Sequence, residues 1–182
     1  MTVLVDSASW AWRNRLWAHL VSDSSFDELH DFARLLGKRR LGFQGDHYDV
    51  DADERGRAVL LGAEPVSSRE LVQRLRRAGL RRRTDKPRWQ RFDFAGPGSA
   101  LQAGTRLTTF GDPGLRLREA LTLADGLDRM SRSALYVDEQ YLVALFDWVG
   151  PEAMVQMPMV DRVWAGAPRA DGERSLELFI QR

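Results

Sequence analysis

FQGDHYDVDADERGRAVLLGAEPVSSRELVQRLRRAG, running from Phe43 to Gly79, is the stretch on which the fold turns. It opens on an extended segment, Phe43 to Val50, and passes straight into Asp51-Ala52-Asp53-Glu54. An oxygen-bearing residue three positions before Glu satisfies orphan amides at both ends of a first helical turn. Ala58, Val59 and Leu61 supply an apolar face, and Gly62 supplies the stop. The pattern then repeats: extended Ala63 to Val66, the cap Ser67-Ser68-Arg69-Glu70, a stripe of Leu71, Val72, Leu75 and Ala78, and a closing Gly79.

Working outward toward the amino terminus, Ser25-Phe26-Asp27-Glu28 carries the same cap, with Phe26, Leu29, Phe32, Ala33 and Leu36 as its stripe and Gly37 as its stop. His30 falls among the polar positions of that helix and reads as surface. Thr2-Val3-Leu4-Val5-Asp6, a short run rich in β-branched residues, reads as a buried strand. Asp6 at its carboxyl end either points into a ligand crevice or caps the next turn. Strand alternating with helix predicts an α/β unit over residues 1–83, a small mostly parallel sheet with flanking helices.

Composition narrows the chemistry. The chain has 182 residues, 43% hydrophobic and 29% charged, a globular balance. Its net charge of +1 is made of uneven parts, with arginines gathered at 74, 76, 77 and 81–83. Without a cysteine there is no disulfide, thiolate ligand or Cys nucleophile, so any metal must use His, Asp, Glu or backbone oxygen. No run approaches the roughly 20 apolar residues of a spanning helix, and no signal-peptide pattern opens the chain. A cytoplasmic protein without a membrane partner is the expectation.

Within Phe43 to Asp49 stand two carboxylates, an imidazole, a phenol and an amide. His47, Asp49, Tyr48 and Gln44 are the candidate catalytic groups; His19, Asp23, Asp46 and Asp6 are the candidate metal ligands. Together they suit a divalent ion such as Zn²⁺, Mn²⁺ or Fe²⁺ activating water against a phosphorylated, nucleotide-like or other small-molecule substrate. If the segment is extended, His47 and Asp49 share one face while Asp46 and Tyr48 take the other. Two other readings stand beside this one: His47 as a metal-free acid or base oriented by Asp23 or Asp49, and a satisfied hydrogen-bond network with no chemistry. The strings GxSxG, GxGxxG and GxxxxGK[ST] are all missing, which argues against a serine hydrolase and the common nucleotide loops.

Trp10-Ala11-Trp12-Arg13-Asn14-Arg15-Leu16-Trp17 interleaves three tryptophans with two arginines. In a long loop, Trp10, Trp12, Arg13 and Arg15 would bind an anionic ligand or nucleic acid by stacking and charge, or pin that loop to the core. A binding module without catalysis is the alternative function.

The strings VLVD, WAHLVSD, FQGDHYDV and GAEPVSSRELVQRLRRAGLR together resemble the bacterial and phage Domain of Unknown Function 4031 family over residues 1–83. The resemblance implies that Asp6, His19, Asp23, Gln44, Asp46, His47, Tyr48 and Asp49 occupy motif positions. It implies no activity.

Residues 84–182 read as a mixed α+β extension. Arg81-Arg82-Arg83-Thr84-Asp85-Lys86-Pro87-Arg88 is an exposed connection, Trp89 to Phe94 a strand, and Gly96-Pro97-Gly98 and Gly111-Asp112-Pro113-Gly114 are breaks. Leu115 to Met130, with Leu117, Ala120, Leu121, Ala124 and Leu127, reads as a helix. Tyr136 to Val149 also fits a helical stripe, and Val160 to Trp164 with Leu176 to Ile180 a terminal hairpin. Met154, Met157 and Met159 read as core filler. With no histidine here, this half would complete the fold, wall a pocket, or mediate homo-oligomerisation.

Overall fold

A computed structural model of the chain describes residues 2–82, 86–94, 107–124, 130–151 and 159–182. The readings for Arg83-Thr84-Asp85, Gly96-Pro97-Gly98, Leu127, Met154 and Met157 fall outside these residues. The chain divides into two compact units, Met1–Pro87 and Arg88–Arg182. Both sheets and helices are present, so the α/β character holds, but the expected mostly parallel sheet does not.

The first unit contains β1 (Val3–Val5), β2 (Trp10–Trp12), β3 (Arg15–Ser22), α1 (Phe26–Leu35), β4 (Tyr48–Asp51), α2 (Ala52–Leu60), β5 (Glu64–Pro65) and α3 (Ser68–Arg77). β3 is the hub, pairing antiparallel with β1, β2 and β4; the parallel contact is the short one between β1 and β5. The sheet is therefore mixed. The departure comes from residues 10–22, which form a hairpin instead of a Trp-rich loop. Arg13 and Asn14 sit at φ 49° and 60°, the left-handed pair that lets a two-residue turn match the twist of its strands. Arg-Asn lacks the glycine that normally advertises such a turn.

All three helices start at the expected caps, and one of the three shows the full reciprocal box. The side chains of Ser25, Asp51 and Ser67 each accept from the amide three residues on, and Asp51 with Glu54 completes a reciprocal box. Gly62 ends α2 at φ 104°, where a side chain would be strained. One sheet face packs Val5, Ala18, Leu20, Tyr48 and Val50 against Leu29 and Ala33 of α1, Leu36 just past its end, and Ala58 of α2. On the other face Leu4 and Val21 meet Leu71 and Leu75 of α3. His30, expected on the surface, is buried: its Nδ1 lies 3.0 Å from the Tyr48 hydroxyl, and its ring packs against Phe43. An aromatic wall makes an interior place for it that helical periodicity alone does not show.

The second unit is a five-stranded antiparallel sheet in the order β6 (Gln90–Phe94), β7 (Arg132–Val137), β8 (Tyr141–Val149), β10 (Glu173–Gln181), β9 (Arg162–Ala165). β9 and β10 form the expected terminal pair. The helix expected over Tyr136 to Val149 is instead the β7–β8 hairpin. Leu142 to Trp148 are all buried, and the continuous apolar run Leu142 to Phe146 satisfies a helical stripe as readily as a strand buried on both faces. The turn is fixed by Asp138, whose Oδ1 accepts from the amides of Gln140 and Tyr141. Gly111 to Gly114, expected as a break, open α4 (Gly111–Leu123); a Cβ on Gly114 would meet the Leu107 carbonyl oxygen at 1.8 Å, so only glycine fits there. Leu117 and Leu121 of α4 pack on Leu135, Leu142, Phe146, Leu178 and Ile180. Met159 is exposed rather than core filler. No helix among the described residues is long and apolar enough to cross a membrane.

Candidate functional site

Strand pairing creates the site before any side-chain detail enters. β3 and β4 place His19 directly opposite Asp49, and cross-strand partners on one face touch. Alternation along β3 puts Trp17, His19 and Val21 on the α3 side of the sheet. There α3 covers Val21 and leaves His19 half-exposed. His47 arrives from a tight turn in which the Gln44 amide donates to the His47 carbonyl at 2.8 Å and Gly45 takes φ 95°. The two imidazoles meet edge to face, their centroids 5.1 Å apart. One donor atom from each of His19, His47 and Asp49 can be chosen so that all lie within 4.8 Å of one another.

Each imidazole is backed by a buried carboxylate. Asp6 stands where the strand that pairs with β3 takes five steps, Val5 to Trp10, against three on β3, Leu20 to Trp17. The two extra residues form a bulge, the usual device for re-aiming a side chain beside a site. Asp6 Oδ2 lies 3.0 Å from His19 Nδ1 and accepts from Ser68 Oγ at 2.7 Å, while Oδ1 accepts from the His19 amide at 2.6 Å. Asp46 Oδ1 lies 2.6 Å from His47 Nδ1, and its Oδ2 accepts from Arg81 Nη1 at 2.7 Å and the Arg82 amide at 2.8 Å. A carboxylate thus faces each Nδ1, an arrangement that favours the tautomer protonated there, in which Nε2 can take a metal. His47 Nε2 is 3.4 Å from Asp49 Oδ1. Two ligands at about 2.0–2.1 Å from one tetrahedral ion sit about 3.4 Å apart.

An open hollow of about 470 Å³ lies over this group. Trp10 and Gln44 form part of its wall, and Arg81, Arg82 and Lys86 make it basic. Trp10 stacks at 6.0 Å on Trp17 and at 6.2 Å on His19. Gln44 Oε1 and Arg81 Nε are buried with no hydrogen-bond partner among the described residues. Polar atoms left over beside a hollow call for a ligand or water.

The structure gathers His19, His47, Asp49, Asp46, Asp6, Gln44 and Trp10, and leaves the remaining candidates elsewhere. Tyr48 is fully buried on the opposite sheet face. Asp23 accepts from the Thr2 amide and pairs with Arg74 at 2.6 Å, apart from the histidines. Trp12, Arg13 and Arg15 sit at the hairpin turn: Arg13 stacks on Trp12 at 4.4 Å, and Arg15 pairs with Asp51 at 2.6 Å. Asp6 and Asp46, expected as ligands, stand behind the imidazoles. Sequence reasoning placed Ser68 only in a helix cap and read Arg81, Arg82 and Lys86 as part of an exposed connection; the charge of that basic run, just past the Gly79 stop, was the signal for its place at the site.

Burial disfavours a charged His47, but the hydrogen bonds and charges of Asp49 and Asp46 outweigh it and raise its pKa above 6.5. Burial alone would raise the Asp49 pKa, yet the His47 hydrogen bond and charge carry it below 3.8. Asp6 is lowered likewise, its burial outweighed by the hydrogen bonds from His19 and Ser68. A raised imidazole stabilises the fold fully below its unfolded value and loses that contribution as pH rises through the folded one. Thermal unfolding in chelator should therefore show wild type losing stability above pH 6.5 relative to a His47→Gln variant. Parallel curves would refute the coupling.

Residues 3–78 match the model of a family described as protein of unknown function (DUF4031). The match spans every residue placed at a motif position above, and it ends before the second unit. No curated protein and no solved structure matches the chain.

Proposed function

We propose, from the premise of a first unit whose family is described only as of unknown function, that this unit holds a divalent transition-metal ion. The ligands are Nε2 of His19, Nε2 of His47 and a carboxylate oxygen of Asp49, and the reaction is hydrolysis of a phosphorylated or nucleotide-like substrate. The observation that carries the proposal is the pair of imidazoles, each fixed at Nδ1 by a buried carboxylate. Carboxylate backing of this kind sets the tautomer and orientation of metal-binding histidines.

Three protein ligands facing an open hollow suit a catalytic ion, because a structural site closes with four. Two imidazoles and one carboxylate suit Zn²⁺, Mn²⁺ or Fe²⁺ better than Mg²⁺ or Ca²⁺, which prefer oxygen. A bound ion supplies Lewis-acid polarisation and a water of lowered pKa. Arg81 and Lys86 hold the anionic group and offset the charge that grows on it during attack. The Gln44 amide, on the same wall, orients the substrate.

Elemental analysis of the purified protein tests this reading, with about one equivalent of Zn, Mn or Fe expected, alongside hydrolysis of p-nitrophenyl phosphate by the metal-loaded protein. A chain that carries no metal and takes up neither added Mn²⁺ nor Zn²⁺ sinks it. The exposed Trp12–Arg13 stack favours a second reading, a nucleic-acid or anionic-ligand module without catalysis. That reading requires salt-sensitive affinity that falls when Arg13 is replaced and survives the loss of His47.

A further inference from the structure

Beside the imidazoles, under α3, lies a second cavity of about 130 Å³. Its lining is mainly apolar, formed by Val21 of β3 and by Leu71, Val72 and Leu75 of α3. It shares His19, His47 and Arg81 with the basic hollow. Two of the polar groups in its wall are already engaged with each other and with His19: Ser68 Oγ donates to Asp6, and Asp6 accepts from the His19 backbone amide and faces His19 Nδ1. A group entering here finds hydrocarbon and no free hydrogen-bond partner of Asp6 or Ser68.

We infer that this cavity sets the substrate class: an anionic ester whose reacting centre carries a small unsubstituted apolar group, up to a single benzene-like ring. The inference rests on the metal reading of the same residues. Size supports it, since a dry apolar cavity of roughly 150 Å³ is known to take benzene. Chemistry supports it as well, because a purine would exceed the space and leave its ring nitrogens unpaired against leucine and valine. Continuity fixes the arrangement. One molecule places its charge by Arg81, Arg82 and Lys86, its electrophilic centre at the two imidazoles, and its apolar group under α3.

Phenylphosphonate, methylphosphonate and 1-naphthylphosphonate test it as non-hydrolysable probes, titrated calorimetrically into the full chain with metal content measured on the same samples. Phenylphosphonate is expected to bind at least about tenfold more tightly than methylphosphonate, the discrimination typical of an apolar pocket. Val72→Phe, which fills the cavity, should bring that ratio near unity while metal content stays at the wild-type level. Val72→Ala, a milder change to the fold, should raise naphthyl affinity relative to phenyl. Equal affinities in metal-loaded wild type, or a phenyl preference that survives Val72→Phe in a folded variant, overturn the pocket and leave the metal site standing. Protein that takes up no metal overturns both, and the elemental analysis tells the two failures apart.

Discussion

The His47→Ala variant is expected to lose stoichiometric Zn²⁺ binding, and Asp46→Asn and Asp6→Asn to weaken it about 10- to 100-fold, although neither aspartate is placed to touch the ion. The Asn substitutions are severe because both oxygens of each carboxylate already accept. Asp6 takes the His19 amide on one oxygen and His19 Nδ1 with Ser68 Oγ on the other. Asp46 takes His47 Nδ1 on one and Arg81 with the Arg82 amide on the other. Either orientation of an asparagine amide sets an NH₂ against a donor, and the lost charge makes the imidazole a poorer ligand. Asp23→Asn is the control: it disturbs the pair with Arg74 and should leave affinity near wild type. Competition against a chromophoric chelator measures all four variants. Wild-type affinity in Asp6→Asn and Asp46→Asn, or an equal fall in Asp23→Asn, would remove carboxylate backing as the organising feature of the site.

What the sequence shows of this arrangement follows from which signals are local. Ser25, Asp51 and Ser67 sit three residues from an acidic partner, so each cap is complete within one turn and legible in the chain. The FQGDHYD string marks one side of the site because its groups are neighbours in sequence. His19 joins it through the register of β3 on β4, a pairing 30 positions apart by number, from His19 to Asp49. No local rule sets that register. The β2–β3 hairpin was obscured by a turn of Arg13 and Asn14, and without it an alternating strand–helix pattern defaults to a parallel sheet. β8 was obscured for the opposite reason, since burial on both faces erases the two-residue period that identifies a strand. The division of labour among the carboxylates was not legible either. Asp6, Asp46 and Asp49 are one residue type, and only geometry separates two that face Nδ1 from one that faces Nε2.

Tyr48 carries the other large expected effect, and it is one of stability. β4 alternates, so Asp49 faces the hollow while Tyr48 and Val50 enter the core beneath α1 and α2. The Tyr48 ring is fully buried, 5.4 Å from Phe43 and 5.8 Å from His30 between centroids, and its hydroxyl is 3.0 Å from His30 Nδ1. Tyr48→Phe keeps the packing and removes that hydroxyl from a buried imidazole, which should cost about 1–3 kcal/mol. Tyr48→Ala adds a cavity and should cost about 3–5 kcal/mol, a large share of the stability of a domain this size. Neither change should alter metal content, because the phenol is on the far face of the sheet from His19, His47 and Asp49. Urea unfolding with elemental analysis on the same samples separates the two roles. A Tyr48→Phe protein with wild-type stability and no hydrolytic activity would return Tyr48 to the chemistry and contradict the alternation that places it in the core.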